Sequence, residues 1–162
     1  MVRPQGATHL VTRHSSLVTA LYLALMMDLF TREIIGYAVR ETLETEGPLA
    51  MAGKALGGRR GVVAHSDRGC QYASHAYRAR LEEMGWLSSM TEQLHGYENA
   101  KAERLNGTLK GEYGLDQPFK TKAAALPAIE TAIWTYNHRR LHEKLGYKIP
   151  SQFRAEWTER AA

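Results

Sequence analysis

The sequence predicts an α/β layer fold. Two apolar, strand-like runs open the readable part of the chain, and short strands then alternate with helical patterns. The composition also supports a packed domain. The chain has 162 residues, 44% hydrophobic and 23% charged, unlike disordered or collagen-like chains. At 18.2 kDa it suits one core. Its single cysteine, Cys70, excludes an internal disulfide framework and a four-thiolate zinc site within one chain, and points to a reducing cytoplasm. The longest apolar run, Ala20 to Met27, is too short to cross a bilayer. No cleavage site stands where a signal peptide would need one. A membrane partner is therefore not expected.

Residues 1–16 show no sustained period. Leu17 to Met27 is apolar and suits a buried strand. Asp28 to Arg32 makes a polar break, and Glu33 to Val39 resumes with Ile34, Ile35, Tyr37 and Val39; the two runs read as a hairpin. Pro48 to Leu56 reads as a short Ala-rich helix ended by Gly57 and Gly58. Gly61 to Ala64 is a short apolar strand. Ser74 is placed to cap a helix that carries Tyr77, Leu81 and Met84 on one face and ends at Gly85. Trp86 to Met90 forms a further short strand, and Thr91 to Tyr97 a loop. Glu98 to about Glu112 and Lys120 to about Glu143 are helical, the second with Ile129, Ile133 and Tyr136 on one face. Pro127 interrupts that second pattern. Either the helix proper starts near Leu126, with Pro127 in its first turn, or it kinks there.

The formal charge of +4 is uneven. From Lys120 to Ala162 there are eight Lys/Arg against four Asp/Glu, whereas residues 1–119 hold thirteen of each. Such asymmetry suits either a polyanion partner reached by the C-terminal segment or a solvated basic helix. Two short stretches could carry chemistry. His65-Ser-Asp67-Arg-Gly69 follows the strand ending at Ala64, and ligands of open α/β sheets bind at the carboxyl ends of strands. These five residues by themselves also fit a plain Asp-containing turn. In the helix from Glu98, residues Asn99, Glu103, Asn106 and Lys110 fall within an arc of about 60°. Ala102, Leu105 and Leu109 form a separate stripe that packs. Together the two carboxylates Asp67 and Glu103 suit Mg²⁺, a hard cation that takes oxygen ligands. Two such ions about 3.5–4 Å apart would stabilise an in-line phosphoryl displacement. Trp86, Trp134 and Trp157 read as packing residues rather than base-stacking platforms, and Cys70 as a small residue of the loop after Asp67. The seven His form no zinc pattern.

The stretches His65-Ser-Asp-Arg-Gly-Cys-Gln-Tyr72, Tyr97-Glu-Asn-Ala-Lys-Ala-Glu103, Tyr136-Asn-His-Arg-Arg-Leu-His142, Leu145-Gly-Tyr147 and Pro150 to Phe153, with the hairpin Asp28 to Gly36, resemble the catalytic core of bacterial insertion-sequence transposases. These are the OrfB type, in the retroviral-integrase superfamily. The order and spacings agree from about Leu21 to Phe153. The resemblance implies an RNase H-like mixed sheet flanked by helices, with a helical basic C-terminal extension: a poorly matched segment 1–16, an integrase core 17–118, and a C-terminal helical segment 119–162 of the same domain. It implies DNA transposition by metal-dependent phosphodiester cleavage and strand transfer, with two Mg²⁺ or Mn²⁺ ions held by an Asp-Asp-Glu triad. DNA, as transposon ends and target, and further copies of the chain assembled on it are the implied partners, in the bacterial cytoplasm at the nucleoid.

Residue by residue, Asp67 matches the second Asp and Glu103 the Glu, as catalytic and metal-binding groups. Lys110 matches a DNA contact near the cut site. Asn99 matches a residue that orients the helix or the carboxylate. Arg139, Arg140, His142 and Lys144 form a basic cluster expected to contact DNA phosphates. The first Asp has no counterpart. Allowing one inserted residue in the following loop, His9 takes its position; without it, Leu10 does. Asp28 matches the family's own Asp in the hairpin turn and is no substitute. The family's N-terminal helix-turn-helix region has no match either. The expectation is a truncated or frame-shifted copy with weak or absent Mg²⁺-dependent strand transfer, since a neutral or cationic His is a poor Mg²⁺ ligand. The alternatives are a non-catalytic DNA-binding or subunit-interaction remnant and, against the Tyr136 to His142 resemblance, a nuclease acting on RNA–DNA hybrids.

Overall fold

A computed structural model of the chain describes residues 4–5, 10–11, 21–42, 44–46, 49–50, 62–66, 70–90 and 100–161. A mixed sheet forms its centre. Strand β3 (Tyr22–Asp28) is one of its two long members. Along one side of β3 run β1 (Pro4–Gln5) and β2 (Leu10–Val11), end to end and antiparallel to it, with Gln5 opposite Met27 and Leu10 opposite Leu23. Along the other side runs β4 (Ile34–Arg40), also antiparallel. Strand β5 (Val63–Ser66) lies parallel to β1, with Gln5 opposite His65, and β6 (Leu87–Met90) lies parallel to β5. The N-terminal segment, where periodicity says nothing, thus supplies the strand between β3 and β5. Two-residue strands are too short to show a period, which is why the sequence is silent there.

Both faces of the sheet are covered, so β3 reads as a continuous apolar run. Its odd residues Leu21, Leu23, Leu25 and Met27 face one core, with Leu105, Leu109, Ile129, Ile133 and Tyr136. Its even residues Ala24 and Met26 face the other, with Ala64, Tyr72, Tyr77, Leu81 and Trp86. Period-two alternation along one strand therefore serves two helical layers. The β3–β4 pairing has one irregularity. Met26 pairs with Gly36 and Met27 with Ile34, which leaves Ile35 as the extra residue of a β-bulge.

The second core is closed by α1 (Cys70–Ala73) and α2 (His75–Glu83). Cys70 is thus exposed at the start of a short helix and not in a loop. Ser74 caps α2 as expected, its Oγ accepting from the Tyr77 N–H at 3.2 Å, and Gly85 leaves the helix at φ 68°. The first core is closed by α3 (Ala100–Gly111) and α4 (Lys122–Arg139). Of the two expectations for Pro127, the start near Leu126 fails. The helix starts at Lys122, capped by Thr121 Oγ1, which accepts from Ala124 N–H, and Pro127 stands inside it. Pro127 and Ala123 are both exposed, so the carbonyl that loses its partner faces solvent. The helix expected over Pro48–Leu56 lies almost wholly outside the described residues.

The C-terminal segment does more than extend the domain. A 3-10 turn (Glu143–Leu145) and α5 (Pro150–Ala161) follow α4, and together they clasp the β3–β4 turn. Phe30 meets Phe153 and Trp157 edge-on, with ring centroids 5.4 and 4.8 Å apart, and Arg154 pairs with Glu33 at 2.8 Å. Two residues of the polar break Asp28 to Arg32 are buried, Asp28 at 2% and Thr31 at 4% accessible, while Phe30 stays 37% exposed. This clasp is invisible to local patterning.

Candidate functional site

Helix α3 presents Glu103. Ala102, Leu105 and Leu109 are buried as their stripe predicts, Thr108 with them. That packing leaves Glu103 exposed in the first turn and Asn106 and Lys110 half-buried at the margin. Asp67 follows Ser66, the buried last residue of β5, but Asp67 itself lies outside the described residues, as do Asn99 and His9. The structure therefore fixes one of the two expected carboxylates and the strand that leads to the other. Beside that strand end, His65 Nδ1 and Ser89 Oγ share a hydrogen bond of 3.1 Å across β5 and β6.

Asp28 holds the hairpin turn. Its Oδ1 accepts from Phe30 N–H at 2.9 Å and Thr31 N–H at 3.4 Å, a local turn cap. Asn106 Oδ1, one turn along α3 from Glu103, is buried without a hydrogen-bond partner.

The basic cluster at the end of α4 is more divided than its sequence suggests. Arg139 is exposed, with its guanidinium carbon 5.3 Å from the centre of the Trp134 ring. Lys144 is exposed as well, and neither forms an ion pair among the described residues. Arg140 is different. Its guanidinium grips Glu112 at the end of α3 with both Nη atoms, Nη2–Oε1 at 2.9 Å, so its charge is locally balanced. His142 is half-buried, with its ring edge-on to Tyr136 at 5.2 Å and 72°. Burial, then the nearby charges of Arg140 and Arg32, push its pKa down to about 4. The imidazole is neutral at pH 7, so His142 adds no positive charge to the cluster.

The tryptophans divide too. Trp86 is core, as expected. Trp134 is 49% exposed and stacked on His138 at 5.0 Å and 14°, so the packing expectation fails there; an aromatic at the edge of an amphipathic helix need not face inward. Sequence reasoning also passed over Asn137. Its side-chain amide accepts from Ile34 N–H and donates to Ile34 C=O, both at 2.9 Å, pairing the outer edge of β4 as a neighbouring strand would. The signal was present: Ile133, Tyr136 and Asn137 stand at i, i+3 and i+4, which puts an amide on the buried stripe. Among the described residues, no helix is long and apolar enough to cross a membrane.

Comparison with known proteins agrees with this architecture. Two family models, both described as integrase core domain, match residues 7–95 and 84–150. The chain is 39% identical over 133 residues to the transposase for insertion sequence element IS629 of Shigella sonnei, covering 81% of this chain and 45% of that one. It is 36% identical over 137 residues to the transposase for IS904 of Lactococcus lactis, covering 82% and 54%. It thus spans about half the length of these relatives. Among solved structures, the catalytic core domain of BIV integrase superposes with a TM-score of 0.70 at 15% identity, over 98% of this chain and 97% of that one. The HTLV-2 integrase catalytic core domain in complex with magnesium gives 0.64 at 19%, over 93% and 94%. These likenesses make the fold RNase H-like, and with the family match over more than half its length the chain belongs to the integrase core domain family.

Proposed function

We propose that this chain is the core of a transposase that cuts and joins DNA, with its metal site reduced to two carboxylates. Asp67 and Glu103 would hold Mg²⁺ or Mn²⁺, which supplies Lewis-acid stabilisation of the displaced phosphodiester oxygens when bound. The donor chemistry fits: Glu103 offers an exposed carboxylate, the hard oxygen ligand such ions take. Asp67, directly after Ser66 at the end of β5, would supply the second donor. Lys110 and the exposed Arg139 and Lys144 would meet DNA phosphates, and Asn99 would orient the helix that carries Glu103. DNA ends, target DNA and further copies of the chain are the partners this reading requires.

One observation carries the reading of impairment. The resemblance puts the family's first Asp on the strand ahead of β3; strands β1 and β2, which pair with β3, carry no carboxylate, and no Asp or Glu precedes Asp28 in this sequence. Whatever the register, that strand offers no carboxylate. The same observation favours a second reading, a non-catalytic DNA-binding or subunit-interaction protein.

Calorimetry with Mg²⁺ or Mn²⁺ separates the two. Binding that disappears in Glu103→Gln supports a residual metal site, and absence of binding in the unaltered chain supports the second reading. A gel assay with terminal DNA should show little strand transfer, and either Leu10→Asp or His9→Asp should raise it. Full turnover by the unaltered chain, abolished by Asp67→Asn, would overturn the impairment.

A further inference from the structure

Where α4 ends, two hydrogen-bonded contacts fix it against the β3–β4 turn: Tyr136 O–H to Met27 Sδ at 3.6 Å, and the Asn137 amide to Ile34. Into the same corner come His142, edge-on to Tyr136, and Arg140, held by Glu112. The turn itself contributes Arg32. This residue adopts φ 62°, a left-handed conformation that a non-glycine residue keeps only where its surroundings impose it. Arg32 is half-buried and, among the described residues, makes no ion pair. His142 Nε2 is buried with no hydrogen-bond partner.

We propose that Arg32, Arg140 and His142 form a site for a phosphate-class anion. The corner holds two guanidinium charges, one carboxylate and an unpartnered imidazole nitrogen, an excess of positive charge and of donors. A partly desolvated guanidinium without an anion is costly, and its planar fork matches a phosphate with two parallel hydrogen bonds. The charges that act on the imidazole are Arg140 and Arg32, which disfavour its protonation, and Glu112, which favours it; Tyr113 and Glu112 act on the neighbouring Tyr136. Glu112 already balances Arg140, so a bound anion offsets the remaining charge of Arg32, and His142 takes up a proton and becomes a donor beside it. The site is separate from the face that carries Glu103. Glu112 lies nine residues further along the helix, about 13 Å and half a turn away. A DNA backbone phosphate as the occupant rests on the proposed function; a free phosphate does not.

NMR titration of the His142 ring tests this directly. Inorganic phosphate is expected to raise the midpoint of His142 by about 1 to 3 pH units, and Arg32→Gln to remove that rise. If Arg32→Gln fails to fold, Arg32→Gly, which suits the left-handed backbone, replaces it. The same rise with a short DNA duplex assigns the anion to the backbone. A rise with phosphate and none with duplex assigns the site to a free anion, and leaves Glu103→Gln calorimetry to judge the proposed function independently. A midpoint that phosphate leaves unmoved, or a rise that persists without Arg32, overturns the site.

Discussion

Single residues settle where this sheet stops. Strand β4 is an edge, and an open edge invites pairing with other chains. Asn137 closes it at Ile34 with two hydrogen bonds of 2.9 Å from a side chain only 6% exposed. Replacing it by Ala leaves a buried N–H and C=O unpaired, each costing about 1–3 kcal/mol. Asn137→Ala should therefore lower the unfolding free energy by about 2–4 kcal/mol, read as a fall in the urea midpoint with little change in slope. Asn137→Asp keeps the acceptor for Ile34 N–H but loses the donor, and should fall between the two. Legibility in the sequence also divides at this scale. Glu103 could be found because helical spacing separates it from Ala102, Leu105 and Leu109. Arg140 and His142 could be found as a basic cluster, but not as a paired cation and a neutral imidazole, because Glu112 and Arg32 are remote in sequence.

At the scale of elements, local patterning works where an element has a cap and a period. Helix α2 has both: Ser74 at its start and Tyr77 and Leu81 facing the core. Helix α4 has a cap at Thr121 and a proline at its sixth position, and there propensity and packing conflict. A proline inside a helix is less favourable than Ala by about 3 kcal/mol. The helix continues through it because Ala125, Ile129, Ala132 and Ile133 are buried against β3 and β4, and burying such side chains contributes about 1.5–3 kcal/mol for each large one. Since Pro127 is exposed, Pro127→Ala should raise the melting temperature, with a gain of up to about 3 kcal/mol and no change in metal or DNA binding. A fall in stability would mean that the fixed φ of Pro127 is needed to enter the helix. Strands β1 and β2 mark the opposite limit. Each is two residues long, and only their partners β3 and β5 define them.

The whole molecule is closed by its C-terminal segment, which packs Phe153, Arg154 and Trp157 on the turn between β3 and β4. His142 lies inside this closure, and its titration should report on it. Its pKa is lowered from 6.5 to about 4 by burial, Arg140 and Arg32, so between those values the unfolded chain binds a proton that the folded chain does not. The contribution of His142 to stability is complete above pH 6.5 and is lost as the pH falls toward 4. Thermal unfolding should accordingly shift to lower temperature over that range, and His142→Gln should flatten the dependence. Saturating phosphate should flatten it as well if the corner binds an anion.

The sequence by itself determined the α/β class, the order of the long elements, the exposed Glu103 beside a buried stripe, and the want of any carboxylate ahead of Asp28. These follow from composition, caps and periods, which are local. Tertiary structure alone decided that Pro4–Gln5 lies between two strands, that Asp28 and Thr31 of a polar hairpin turn are buried, and that a basic tail carries fewer free charges than it has basic residues. Each of those outcomes depends on groups tens of residues apart, from Ile34 and Asn137 to Glu112 and Arg140, and no local pattern encodes a contact until the chain has folded to make it.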